Sequence, residues 1–137
     1  MSTGGDTQQA TGASAWALGL LVLLPIPLMG PLAAGGAMIA AYGTLSRQGR
    51  LAKANAASAR RWGRFFLVSS TALLVLQLAL TLPRWWSGPV TTGFFPIGIP
   101  IVLYALVCVV HLVVVTVGTV QARRGELVRG PFSRAAS

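Results

Sequence analysis

The sequence predicts an all-α integral membrane protein with three transmembrane helices, and three observations predict it. Hydrophobic residues make up 54% of the 137-residue chain and charged residues 9%, against roughly 25% charged in an ordinary soluble domain. A soluble chain this short has too little interior to hide so much apolar surface. The apolar residues gather in three long runs, 16–42, 65–82 and 97–120. Between the first two runs lies a basic stretch, residues 46–64, that contains no acid.

Residues 1–15 are small and polar, with Asp6 as their one acid. Such a composition cannot build a core and reads as a disordered tail. No Lys or Arg precedes the apolar run that follows, which argues against a signal peptide.

The run 16–42 would be about 40 Å long as a helix, more than the roughly 30 Å hydrocarbon core. Pro25, Pro27 and Pro31, with Gly30 among them, remove backbone donors and loosen the chain. The segment therefore either crosses once with a kink between Pro25 and Pro31 or folds back there as a re-entrant hairpin. Its second half is rich in small residues, with Gly36 and Ala40 four apart and Ala37 and Ala41 four apart. That spacing lets helix backbones approach closely in lipid. The face packs either on the protein's own helices or on a second chain.

Residues 46–64 carry Arg47, Arg50, Lys53, Arg60, Arg61 and Arg64. As a helix, the stretch gathers these residues broadly on one side and Leu51, Ala52, Ala59 and Trp62 on the other. Asn55 and Ser58 interrupt the apolar side, and Gly49 and Gly63 are expected to bound the helix. The result would be a weak amphipathic helix in the membrane interface. The competing expectation is a solvated loop. A net charge of +9 would suggest nucleic acid in a soluble protein. Flanking apolar spans, the same charges point to anionic lipid headgroups, with no nucleic acid as a partner.

The run 65–82 gives about 27 Å of helix, a tight fit to the bilayer. Ser69, Ser70 and Thr71 can satisfy themselves on carbonyls one turn back. Gln77 cannot, and an amide in lipid wants an interhelical partner. Residues 83–95 are expected to form a turn, with Trp85, Trp86, Phe94 and Phe95 as an interfacial aromatic cluster beside Arg84. The run 97–120 is rich in Val and Ile, but it is too long for a strand, and lipid demands an internally bonded backbone. The transmembrane domain is thus 16–121, and residues 122–137 form a basic tail.

Asp6 and Glu126 are the two carboxylates, and both lie outside the spans. No carboxylate pair for acid–base work exists within a span. One His and one Cys cannot assemble a metal cluster within one chain. Neither a phosphate loop nor a GxSxG occurs. The sequence therefore predicts no enzyme, no cofactor and no metal. His111 lies deep in the third span, and an ionisable residue there is a functional candidate by default. Its structural reading is a neutral imidazole bonded to a neighbouring helix, with Gln77 or the hydroxyls of Ser69, Ser70 and Thr71 as partners.

Three short motifs carry a resemblance: Gly30-Pro31-Leu32, the WGRFF of residues 62–66 that closes the basic stretch, and QARRGELVRGPF at 121–132. Across residues 18–132 the chain resembles the small bacterial membrane proteins of unknown function related to the chloroplast inner-envelope import component Tic-twenty. It departs from them where they usually carry an acidic or His-bearing segment before the second span. Here Lys53, Ala54 and Asn55 stand instead. The resemblance implies a helical membrane fold and a role near protein translocation. It implies no catalytic residue.

With three spans, ten of the eleven Lys and Arg residues fall on one side, with Arg84 alone on the other. The positive-inside rule then sets the loop and the C-terminus in the cytoplasm and the N-terminus outside, in a multi-pass protein of the cell membrane. The sequence-level expectation for function is a small structural or accessory protein that assembles with itself or with a larger complex. The alternative is a component of a transport or protein-translocation system.

Overall fold

The computed structural model of the protein describes residues 10–24, 29–87, 95 and 97–129. Among these residues every regular element is helical. Helix α1 (Ala13–Ala17) runs directly into a 3₁₀ stretch (Leu18–Leu23), and α2 (Met29–Leu45), α3 (Arg50–Trp86) and α4 (Gly98–Arg123) follow. Helices α3 and α4 are long and apolar enough to cross a membrane. At 17 residues, α2 reaches about 26 Å, short of the hydrocarbon core.

The first apolar segment folds back on itself. A Cβ placed on Gly30 would stand 2.9 Å from the carbonyl oxygen of Val22, and one on Gly19 would stand 2.9 Å from the sulfur of Met38. Residue numbers that rise on one arm as they fall on the other mark an antiparallel pair. A single kinked helix would carry these atoms away from each other. The expected kink positions Pro25 and Pro27 lie outside the described residues. Pro31 sits in the first turn of α2, where a missing donor costs nothing.

Two boundaries differ from those expected. Gly49, at φ 131°, does precede α3, in a backbone conformation that suits glycine. Gly63, however, does not end a helix: α3 runs for 37 residues through it and through Pro83. The basic stretch is thus neither a separate interfacial helix nor a solvated loop; from Arg50 on it is the first part of α3, whose later part is long and apolar enough to cross a membrane. Glycine in a helix interior is unfavourable by about 1 kcal/mol relative to Ala. At Gly63 a close helix contact offsets this, since a Cβ here would lie 3.2 Å from the Gly35 carbonyl oxygen and 2.9 Å from the Met38 Cβ. At the other end, the expected turn at Pro83 begins later, at Ser87, whose hydroxyl donates to the Pro83 carbonyl at 2.8 Å.

The core is confined to one end. The buried residues of α3 run from Ala52 to Ser70 and stop there. On α4 the matching set is His111, Val115, Gly118 and Ala122. Trp16, Met38, Phe66 and Val115 are the large apolar side chains at its centre. Trp16 of α1 lies on Gly118, where a Cβ would approach the indole to 2.6 Å. The molecule thus has a head, in which all the helices pack, and a two-helix stalk made of residues 71–86 and 98–110. Within the stalk only Gly98 and Pro100 are buried among the described residues.

Candidate functional site

The head carries most of the candidate residues. Along α3, Ala52, Asn55, Ala56, Ala59, Trp62, Gly63 and Phe66 are buried, the three- and four-residue spacing of one helix face. The opposite face presents Arg50, Lys53, Arg61 and Arg64 to the exterior, and Arg47 is exposed in the turn before it. Arg60 is half-buried, with its guanidinium 4.9 Å from the centre of the Tyr42 ring, a cation–π distance. Arg123, Arg124 and Arg129 are exposed at the same end of the molecule. Glu126, also exposed, is the one carboxylate among the described residues. The head is therefore a concentrated cationic surface, and guanidinium groups suit planar, charge-assisted contacts with phosphate oxygens.

Asn55 is the residue that sequence reasoning undervalued. It is fully buried. Its Nδ2 donates to the carbonyl of Thr11 at 2.7 Å and to that of Glu126 at 3.2 Å. Its Oδ1 accepts from the backbone N–H of Val128 at 2.8 Å. One carboxamide thus fastens the segment before α1 and the segment after α4 to the start of α3. A polar residue in an Ala-rich helix stripe was the available signal. Its partners are backbone groups 44, 71 and 73 residues away, which carry no side-chain signature.

His111 is fully buried, but its partners are not the expected ones. Its Nδ1 accepts from the Trp62 indole N–H at 3.1 Å, and its Nε2 lies 3.0 Å from the carbonyl of Gly19. An indole N–H only donates, so Nδ1 is the unprotonated nitrogen and Nε2–H donates to Gly19. The Phe66 ring stacks on the imidazole at 3.6 Å between centroids. Both nitrogens are engaged, and the neutral ring joins the 3₁₀ stretch, α3 and α4. Gln77 lies eleven residues beyond Phe66, about 16 Å along the helix, which excludes the Gln77 pairing. The hydroxyls of Ser69 and Ser70 are occupied by the carbonyls of Phe65 and Phe66, each at 2.7 Å. Gln77 itself is half-buried on the stalk, and its Oε1 has no hydrogen-bond partner among the described residues.

The small residues of α2 divide between two faces. Ala41 packs against the core, whereas a Cβ on Gly36 would meet nothing within 4 Å. Ala37 is half-buried and Ala40 exposed. A close approach to α3 is made by Gly35, one position away from the expected seam, where a Cβ would stand 3.2 Å from the Gly63 carbonyl oxygen. Among the described residues no three His, Cys, Asp or Glu side chains gather as metal ligands.

No family model matches this chain, and no curated protein and no solved structure is detectably similar to it.

Proposed function

We propose that the protein is a non-enzymatic integral subunit of the cytoplasmic membrane. It crosses twice, through α3 and α4, and holds its basic head against the anionic cytoplasmic leaflet, as a structural or accessory part of an assembly with itself or with a larger complex. One observation carries the reading. From residue 71 to residue 86 no side chain is buried, although Val75, Leu76, Leu78 and Leu82 are each about half or more exposed, at 58%, 47%, 56% and 54%. A helix pair that is apolar on its outside is stable in lipid and unstable in water.

Two crossings take the place of the three expected. Three would set Thr11 and Asn55 on opposite sides of a core about 30 Å thick, whereas their hydrogen bond is 2.7 Å long. The contact supports a re-entrant first segment, with the N-terminus on the cytoplasmic side beside the C-terminus rather than outside. The basic residues keep the side that the positive-inside rule assigns them.

The accessory role is supported over transport by the polar groups themselves. His111 is held on both nitrogens, Gln77 stands about 16 Å away along α3, and the serine hydroxyls turn to their own helix. These groups do not line a common path, as a conducting route would require. The Tic-twenty-like resemblance would add a place near protein translocation.

The test is labelling from each side. Single cysteines replacing Thr7, Ser87 and Ser137, on a Cys108→Ser background, are probed with a membrane-impermeant maleimide. Thr7→Cys and Ser137→Cys should label from one side and Ser87→Cys from the other. Labelling of Thr7→Cys and Ser137→Cys from opposite sides would restore three crossings. Gentle extraction followed by mass determination then separates a self-assembly from a larger complex.

A further inference from the structure

The two crossing helices are out of step. The contacts of His111 set their antiparallel register, with Trp62 beside it on one turn of α3 and Phe66 on the next; Asn55 meets the chain only past the end of α4, at Glu126 and Val128. His111 is therefore level with residues 62–66, and so with Arg64. On α3 the uncharged run begins just past Arg64, on the stalk side. On α4 it continues in the other direction, past His111 to Val120, nine residues or about 14 Å beyond the level of Arg64. In that overhang Val113, Val117 and Val120 form one stripe and are 58%, 49% and 44% exposed. They stand about 3 to 14 Å on the head side of Arg64, in the same layer as Arg60 and Arg61. An upright helix pair cannot keep both Arg64 out of the hydrocarbon and these valines in it.

We infer that the Val113, Val117 and Val120 stripe is seated in the headgroup–acyl boundary of the cytoplasmic leaflet, so that the head rests α4-side down on anionic lipid. The inference rests on the two-crossing reading above. Two features select lipid as the occupant. The stripe continues without a break into the lipid-facing side of the stalk, through Leu103, Leu106 and Val110, which are 43%, 57% and 45% exposed. At its other end stand the exposed Arg123 and Arg124. Apolar residues bordered by arginine are the composition of an interfacial surface on anionic lipid. A second copy meeting this stripe in parallel would bring the same arginines together, and a chain with two acids in all has little to neutralise them.

The experiment places an environment-sensitive NBD label on single cysteines at Val117, Arg61 and Val75, on the Cys108→Ser background. Each variant is reconstituted into vesicles of phosphatidylcholine alone or mixed with phosphatidylglycerol. Phospholipids spin-labelled either high or deep on the acyl chain are then added as quenchers, the deep label reporting on Val75. The Val117 probe should emit to the blue of the Arg61 probe and lose intensity to the shallow quencher, more so with phosphatidylglycerol. Val113→Cys and Val120→Cys should behave alike, which covers the case of one misfolded variant. Water-like emission at Val117 would overturn the inference and leave the stripe bare. Blue-shifted emission without lipid quenching would overturn it too, assigning the stripe to a protein, and dependence of that shift on protein density would name a second copy. If the Val75 probe also escaped lipid quenching, the crossing itself would be wrong. With Val75 quenched, failure at Val117 refutes the seating alone.

Discussion

Replacement of Asn55 should loosen both ends of the chain at once. Its side chain makes three hydrogen bonds, to Thr11, Glu126 and Val128, and is fully buried. A net contribution of about 1 kcal/mol for each bond gives about 3 kcal/mol, and a buried Val128 N–H left without a partner adds about 1 to 3 kcal/mol. Asn55→Ala should therefore destabilise the head by about 4 to 6 kcal/mol, a sizeable share of a typical folding free energy of about 5–15 kcal/mol. Asn55→Asp is the more telling variant. It keeps the shape and the acceptor for Val128, but it turns an oxygen toward the carbonyls of Thr11 and Glu126 where a donor stood. It should be at least as damaging as Ala despite being nearly isosteric, because a charge is also buried without a counter-ion. Thermal unfolding in detergent measures the global loss, and amide exchange at Val128 with proteolysis of the tails measures the local one. An Asp variant as stable as the parent, with Val128 still protected, would refute the clamp.

Three further perturbations follow from the same geometry. Gly35→Leu should separate α2 from α3, because its Cβ would already lie 3.0 Å from the Leu67 Cβ, whereas Gly36→Leu meets nothing within 4 Å and should leave the melting temperature unchanged. A change in oligomer size on gel filtration for Gly36→Leu alone would assign the outer face of α2 to a second chain. Trp62→Phe removes the indole donor and leaves the Nδ1 of His111 bare in the core, so it should cost about 1 to 3 kcal/mol in thermal unfolding, with double replacement by Phe at Trp62 and His111 less than additive. Replacing Arg47, Arg50, Lys53, Arg60, Arg61 and Arg64 with Gln removes about 1 kcal/mol of leaflet attraction per residue; mixed insertion orientations and a weaker preference for anionic vesicles are expected, measured by side-specific labelling and by flotation.

The helical class, the two long apolar helices and the charged end were legible in the sequence, because each is a sum over neighbouring residues. Hydropathy over residues 65–82 or 97–120 needs no knowledge of the rest of the chain, and neither does the density of arginine in 46–64. The candidate site was legible only as a list of residues. Arg61 and Arg64 could be set on an exposed face by helical spacing alone, and Asn55 could be recognised as an interruption of the apolar face, though not as its anchor. The glycines at 35 and 36 are indistinguishable by composition, yet only one of them meets Gly63.

What the sequence determined by itself, then, is that this chain is helical, that two of its helices are long and apolar enough to cross a membrane, and where its basic residues gather. The tertiary structure alone decided that the first apolar segment turns back beside itself, that α3 continues through Gly63, that His111 answers to Trp62 and Gly19, and that α4 overhangs α3 at the basic end. The physical reason is common to all four. Each depends on groups distant in sequence approaching to about 3 Å, and several of those groups are backbone carbonyls and amides. Every residue except proline carries the same pair. A side chain such as Asn55 announces that it needs partners, but only the fold shows which of these identical groups it finds.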